Sequence, residues 1–137
     1  MPVLRPGKNG LKQPKTVLLV DDDNLSIFLS KRVLKMSGIE ADILTAQHGR
    51  EALAIIRELY HSGRYPELIL LDINMPVMDG FAFLDELQKS IDWKSVSMKI
   101  VILSSSLHDL ELARAKKLPV VGCIEKPLSK EKLSRFL

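Results

Sequence analysis

Five short apolar runs punctuate this chain, and amphipathic stretches separate them. The runs are Thr16-Val17-Leu18-Leu19-Val20, a weaker one over 41–46 with Ile43 and Leu44, Leu68-Ile69-Leu70-Leu71, Lys99-Ile100-Val101-Ile102-Leu103, and Val120-Val121-Gly122-Cys123-Ile124. Unbroken rather than alternating hydrophobicity reads as strands buried on both faces, as in a parallel sheet.

The intervening stretches carry helical spacing. Asn24 is placed to cap a helix whose apolar positions include Leu25, Phe28, Leu29, Val33 and Met36, and Gly38 stands at its stop. A second helix is expected over Arg50–Tyr60, with Ala52, Leu53, Ile55, Ile56 and Leu59 inward, closed by His61-Ser62-Gly63. A third opens at Gly80 and runs to Gln88 on Phe81, Leu84 and Leu87. The polar stretch Ser90–Met98, with Trp93, reads as a connection. A fourth helix is expected over Leu107–Leu118, and a fifth, capped by Ser129, over Lys130–Leu137. Strands alternating with helices of this length predict an α/β fold, a doubly wound five-stranded parallel sheet of (βα)5 type.

At 137 residues the chain fits one domain. A single cysteine, Cys123, excludes an internal disulfide and suits a reducing compartment. No stretch has the length of a membrane span and no signal-peptide pattern opens the chain, so a cytoplasmic protein without membrane contact is expected. The net charge of +3 falls to −1 once the four bases of residues 1–15 (Arg5, Lys8, Lys12, Lys15) are set aside. The basic character thus belongs to a tail rich in proline and glycine, expected to be flexible. No nucleic-acid recognition motif accompanies it, so direct nucleic-acid binding is not expected.

The chemistry lies where the strands end. Strand one runs into Asp21-Asp22-Asp23, strand three into Asp72, strand four into Ser104, and strand five into Glu125-Lys126-Pro127. In a doubly wound sheet these carboxyl ends share one edge, the edge of the ligand crevice. Like charges about 4 Å apart repel by on the order of 4 kcal/mol at an effective dielectric near 20, so three carboxylates against one lysine call for a cation. An all-oxygen set with few protein ligands points to Mg²⁺. An ionised carboxylate beside such a cation is a nucleophile for a phosphoryl group, and Lys126 with the Ser104 hydroxyl can meet the charge on its oxygens. Taken alone, Asp21-Asp22-Asp23 reads equally well as an acidic helix cap. His48, His61 and His108 are scattered and expected to be exposed, and Cys123 reads as a small residue at the core edge.

Together, Leu18-Leu19-Val20-Asp21-Asp22, Leu71-Asp72-Ile73-Asn74-Met75-Pro76-Val77-Met78-Asp79-Gly80, Ile102-Leu103-Ser104-Ser105 and Glu125-Lys126-Pro127 resemble the receiver domain of two-component response regulators. The likeness covers roughly residues 16–137. It implies a flavodoxin-like strand order, 2-1-3-4-5. It implies Asp72 as phosphoacceptor, with phosphate supplied by a histidine kinase or a phosphotransfer protein. It implies Mg²⁺ bound directly by Asp22, largely through water by Asp21, and by Asp72 and the backbone carbonyl of Asn74. Ser104 would be the switch hydroxyl and Lys126 its charged partner, with Pro127 entered through a cis peptide bond. The output would pass through the face built from the fourth helix, fifth strand and fifth helix, which carries Lys116, Lys117, Lys130 and Lys132, to a separate protein target. Such a receiver is no enzyme towards other substrates; it catalyses only its own phosphorylation and dephosphorylation.

Two positions depart from the family pattern. Cys123 stands where an aromatic switch residue is frequent, and Ser104 where threonine is frequent. Three other readings compete. An aspartate-based phosphatase would want a carboxylate where Asn74 stands. A degenerate receiver would have lost an acid or the lysine, and a flavin module would replace the acids with a phosphate-cradling loop.

Overall fold

The computed structural model describes residues 14–92, 95–105 and 108–137. Its elements alternate without exception: β1 (Thr16–Val20), α1 (Asn24–Met36), β2 (Asp42–Ala46), α2 (Gly49–His61), β3 (Leu68–Asp72), α3 (Gly80–Ser90), β4 (Lys99–Ser104), α4 (Asp109–Ala115), β5 (Gly122–Glu125) and α5 (Lys130–Ser134). The five strands form one parallel sheet in the order β2-β1-β3-β4-β5. The doubly wound flavodoxin-like fold expected from the strand and helix pattern is therefore present.

The unbroken apolar runs have a direct structural meaning. Successive strand side chains point to opposite faces, and each face meets helices. Leu18, Val20, Ile69, Leu71 and Ile100 pack with Ala52, Leu53 and Ile56 of α2 and Phe83, Leu84 and Leu87 of α3. Val17, Leu19, Leu68, Leu70, Val101, Leu103 and Ile124 pack with Ile27 and Leu34 of α1 and Leu133 of α5. A smaller cluster joins Ile73, Phe81, Ile102 and Ala115, with Cys123 against it.

Several expectations need correction. Asp23, not Asn24, caps α1: its carboxylate accepts from the Leu25 N–H at 3.0 Å. The inward face of α1 is Ile27, Ser30 and Leu34, while Leu25, Phe28, Leu29 and Met36 are 63%, 54%, 44% and 60% exposed. The helix carries two apolar stripes. The Ser26 hydroxyl donates to Asp21 Oδ2 at 2.7 Å, tying the first turn of α1 to the end of β1. α4 is shorter than the expected 107–118 span. Its end tightens into bonds from Lys117 N–H to the Arg114 carbonyl and from Leu118 N–H to the Ala115 carbonyl. Pro119 comes next and disfavours helix in the residue before it.

β5 begins two residues later than its apolar run, because Gly122 is the first residue paired with β4, opposite Val101. His48 is no scattered surface group: its Nδ1 accepts from the Glu51 N–H and caps α2. Of the tail expected over 1–15, residues 1–13 lie outside the described residues. Lys15 is tied to the fold, its carbonyl accepting from Asp42 N–H at 2.9 Å and its own N–H donating to the Glu67 carboxylate. Trp93, Ser106 and Leu107 also lie outside the described residues.

Candidate functional site

β1, β3, β4 and β5 deliver Asp21, Asp72, Ser104 and Lys126 to one edge of the sheet. Single carboxylate oxygens of Asp21, Asp22 and Asp72 all lie within 4.8 Å of one another. Asp21 and Asp72 are buried, at 5% and 6% exposure, as is Ser104, while Asp22 is exposed. A carboxylate or ammonium needs solvent or a charge partner that the sheet interior does not offer, so these groups stand at the strand ends.

Asp21 is already well occupied. Its Oδ1 accepts from Asp23 N–H at 2.9 Å, and its Oδ2 accepts from the Ser26 hydroxyl at 2.7 Å and the Lys126 ammonium at 2.8 Å. Asp72 Oδ1 accepts from Asn74 N–H at 3.1 Å, and its Oδ2 lies 3.6 Å from Lys126 Nζ. Lys126 also donates its backbone N–H to the Ser104 carbonyl at 2.7 Å, tying the β5 end to the β4 end. The Lys126–Pro127 bond is cis.

These distances shape the electrostatics. Burial pushes the Asp72 carboxyl up to about 6; the Asn74 hydrogen bond and the Lys126 charge pull it back, and Asp21 and Asp22 push it further. Burial works against the Lys126 charge, but Asp21, by hydrogen bond and by field, together with Asp72 and Asp23, outweighs it and holds the ammonium above its ordinary range. At neutral pH an ionised Asp72 therefore faces a charged Lys126. The donor set is hard oxygen in a tight cluster, which fits a small divalent cation. Of the three carboxylates, Asp22 alone is open to solvent.

The loop after Asp72 is pinned at both ends. Gly80 N–H donates to the Ile73 carbonyl at 3.1 Å, and a Cβ on Gly80 would stand 2.8 Å from the Asp72 carbonyl oxygen and 2.7 Å from Ile73 Cα. Gly49, the first residue of α2, donates to the Met78 carbonyl at 2.9 Å, and a Cβ there would stand 2.9 Å from the same oxygen. Asp79 caps α3 through the Ala82 N–H, the turn role its Asp-Gly sequence suggests. Between the pins, Val77 has φ 67°, and Met78 N–H closes on the Pro76 carbonyl at 2.7 Å.

The structure brings together all the residues singled out from the strand ends: Asp21, Asp22, Asp72, Ser104 and Lys126, with Asn74 bonded to Asp72 through its N–H. Sequence reasoning missed Ser26, whose signal was its place in the first turn of α1 after the acidic run. It also missed the engagement of Lys132, half-buried and bonded through its ammonium to the Glu125 and Pro127 carbonyls at the solvent-exposed surface, while Lys116, Lys117 and Lys130 are exposed. Cys123 is half-buried beside Phe81, and burial pushes its thiol up, away from reactivity. The Arg114 guanidinium of α4 sits over the Phe81 ring, 4.2 Å from its centroid.

A groove of about 260 Å³ adjoins the acidic cluster, lined by Leu25, Leu29, Leu103, Lys126, Pro127 and Leu128 among others. Among the described residues no helix is long and apolar enough to cross a membrane.

Comparison with known proteins gives the same picture. The family described as "Response regulator receiver domain" matches residues 17–137. The chain is 32% identical over 125 residues to the probable methanogenesis regulatory protein FilR2 of Methanothrix harundinacea, covering 90% of this chain and 79% of that protein. It is 32% identical over 109 residues to response regulator Rcp1 of Synechocystis, covering 78% of this chain and 73% of that one. A solved two-component response regulator from Cytophaga hutchinsonii superposes with TM-score 0.84 at 30% identity, covering 90% of this chain and 94% of that one. The Mn²⁺-bound form of Rcp1 superposes with TM-score 0.71 at 30% identity, covering 89% and 88%. The chain belongs to the response-regulator receiver family of two-component signalling.

Proposed function

We propose that residues 16–137 form a phospho-accepting receiver in which Asp72 takes a phosphoryl group from a phosphohistidine on a histidine kinase or phosphotransfer protein. The observation that carries this reading is the cluster of Asp21, Asp22 and Asp72 with Lys126 paired to both buried carboxylates. An oxygen of Asp72 attacks phosphorus, the bond to the imidazole nitrogen breaks with its electron pair left on the histidine, and an acyl phosphate results. Asp21, Asp22, Asp72 and the Asn74 backbone carbonyl are the residues that would hold Mg²⁺, which when bound supplies positive charge to the phosphoryl oxygens. Rcp1, a relative with a solved Mn²⁺-bound form, supports a divalent ion in this family.

The roles of the remaining side chains follow from position. Lys126 already faces Asp72 and is free to pair with phosphoryl oxygens once they outcompete Asp21. The Ser104 hydroxyl, at the end of the neighbouring strand, donates a hydrogen bond to the new group. That contact shifts the loop after β4 and biases the α4-β5-α5 face, from which a separate protein reads the state in the cytoplasm. Towards other molecules the chain is no enzyme. No direct nucleic-acid or membrane contact is part of this reading.

The donor approaches over α1. Leu25, Phe28 and Leu29 form an exposed apolar stripe, and two of them line the groove that Lys126 closes at the carboxylate end. A protein presenting phosphohistidine from an apolar surface can cover the stripe and reach Asp72 together. The chemical test is reduction of the phosphorylated protein with borodeuteride followed by peptide mass spectrometry. Deuterated homoserine at position 72 is expected; label confined to another residue contradicts the assignment.

A further inference from the structure

Lys132 of α5 lies on the expected output face with Lys116, Lys117 and Lys130, yet its ammonium is committed to two backbone carbonyls. It donates to the Glu125 carbonyl at 2.8 Å and to the Pro127 carbonyl at 3.1 Å. These are the residues immediately before and after Lys126. The backbone of Lys132 is fixed as well, because its N–H donates to the capping Ser129 hydroxyl at 3.2 Å.

We infer that Lys132 is a positioning residue for Lys126: by joining the carbonyls on either side, it sets the backbone from which Lys126 reaches Asp21 and Asp72. β5 is an edge strand, so the loop that follows has a strand neighbour on one side only. On that side the bond from Lys126 N–H to the Ser104 carbonyl holds it. On the helix side, Lys132 provides the tie. Charge-assisted hydrogen bonds are the stronger kind, and one ammonium making two of them across a turn resists its opening. Placement of Lys126 matters because a displacement of about 1 Å at a reacting centre can cost on the order of a hundredfold in rate.

The kinetic half of this inference rests on Asp72 as phosphoacceptor; the structural half does not. Two measurements on the full chain separate them. The first is the rate of phosphoryl adduct formation from acetyl phosphate at saturating Mg²⁺. We expect Lys132→Met to slow it roughly tenfold, a partial displacement in these terms, and Lys132→Arg to recover most of the loss. Lys126→Met combined with Lys132→Met should be no slower than Lys126→Met alone, since a residue acting through another is non-additive with it. Additive losses, or a Lys132→Met protein as fast as wild type, overturn the inference.

The second measurement is the NMR signal of the Lys126 ammonium in unphosphorylated protein. Lys132→Met should shift and broaden it, while Lys130→Met should leave it in place. A simple stability role would lower the melting temperature without this signature, and an unmoved Lys126 signal overturns the inference. If the Lys126 signal responds as expected while wild type takes up no phosphoryl group, the positioning role stands and the acceptor reading of Asp72 falls.

Discussion

Lys126 lies 2.8 Å from Asp21 and 3.6 Å from Asp72, so the single ammonium at this centre bonds one carboxylate and only pairs with the other. Asp21 spends its oxygens on three donors. Asp72 has one backbone N–H and a more distant charge. Asp21 thus anchors the lysine and the start of α1, and in the proposed function it is the less engaged Asp72 that accepts the phosphoryl group.

The asymmetry has a stability consequence. Burial first, with Asp21 and Asp22 assisting, raises Asp72 from 3.8 to about 6. Between roughly pH 4 and 6 the folded chain therefore holds a proton that the unfolded chain has lost, and stability from this group falls as pH rises through that window. Asp72→Asn removes the burden. In metal-free buffer at pH 7.5 the variant should be more stable than wild type by on the order of 2 kcal/mol, with the gap closing towards pH 4. Urea unfolding at the two pH values checks this; a gap independent of pH contradicts it.

Mg²⁺ should act in the opposite direction at neutral pH. A cation that binds only the folded state stabilises it by about 2.7 kcal/mol at a hundred times its Kd. The urea midpoint of wild type should rise with added Mg²⁺ at pH 7.5. It should rise far less at pH 5, where Asp72 is protonated, and far less in Asp22→Asn. A rise of equal size in Asp22→Asn would place the ion elsewhere.

Val77 holds a left-handed φ of 67° while 71% exposed, a conformation that β-branched residues rarely adopt. The strain sits in the loop between Asp72 and α3, pinned by Gly49 and Gly80. Asparagine tolerates this region, so Val77→Asn should stabilise the fold by about 1 kcal/mol. Chemical denaturation measures it, and a destabilised variant would show that the valine side chain has a compensating contact.

The α1 stripe predicts a selective defect. Phe28→Asp places a charge on the surface assigned to the phosphohistidine donor. The ratio of donor-dependent phosphorylation to acetyl phosphate labelling should fall by tenfold or more, about 1.4 kcal/mol of docking. An unchanged ratio would move the donor to another face.

Much of this was legible in the chain. Continuous runs such as Leu68-Ile69-Leu70-Leu71 admit little besides a strand covered on both faces, and polar residues at their carboxyl ends fall on one sheet edge once the strands are parallel. Asp21, Asp22, Asp72, Ser104 and Lys126 could be named for that reason. What escaped was decided by tertiary contact. α1 offers two apolar stripes of similar strength, and the sheet takes Ile27 and Leu34 and leaves Phe28 outside. The end of α4 is set by Pro119, and the start of β5 by its register with Val101. Lys132 has the composition of a surface lysine, and only the turn after β5 gives its ammonium two carbonyls to hold.

The most direct test of the account is intact mass after incubation with Mg²⁺ and acetyl phosphate, for wild type and Asp72→Asn. The account predicts a single phosphoryl adduct on wild type, lost when the metal is chelated and absent from Asp72→Asn. An adduct of equal yield on Asp72→Asn, or none on wild type with either acetyl phosphate or a phosphohistidine donor, would contradict it.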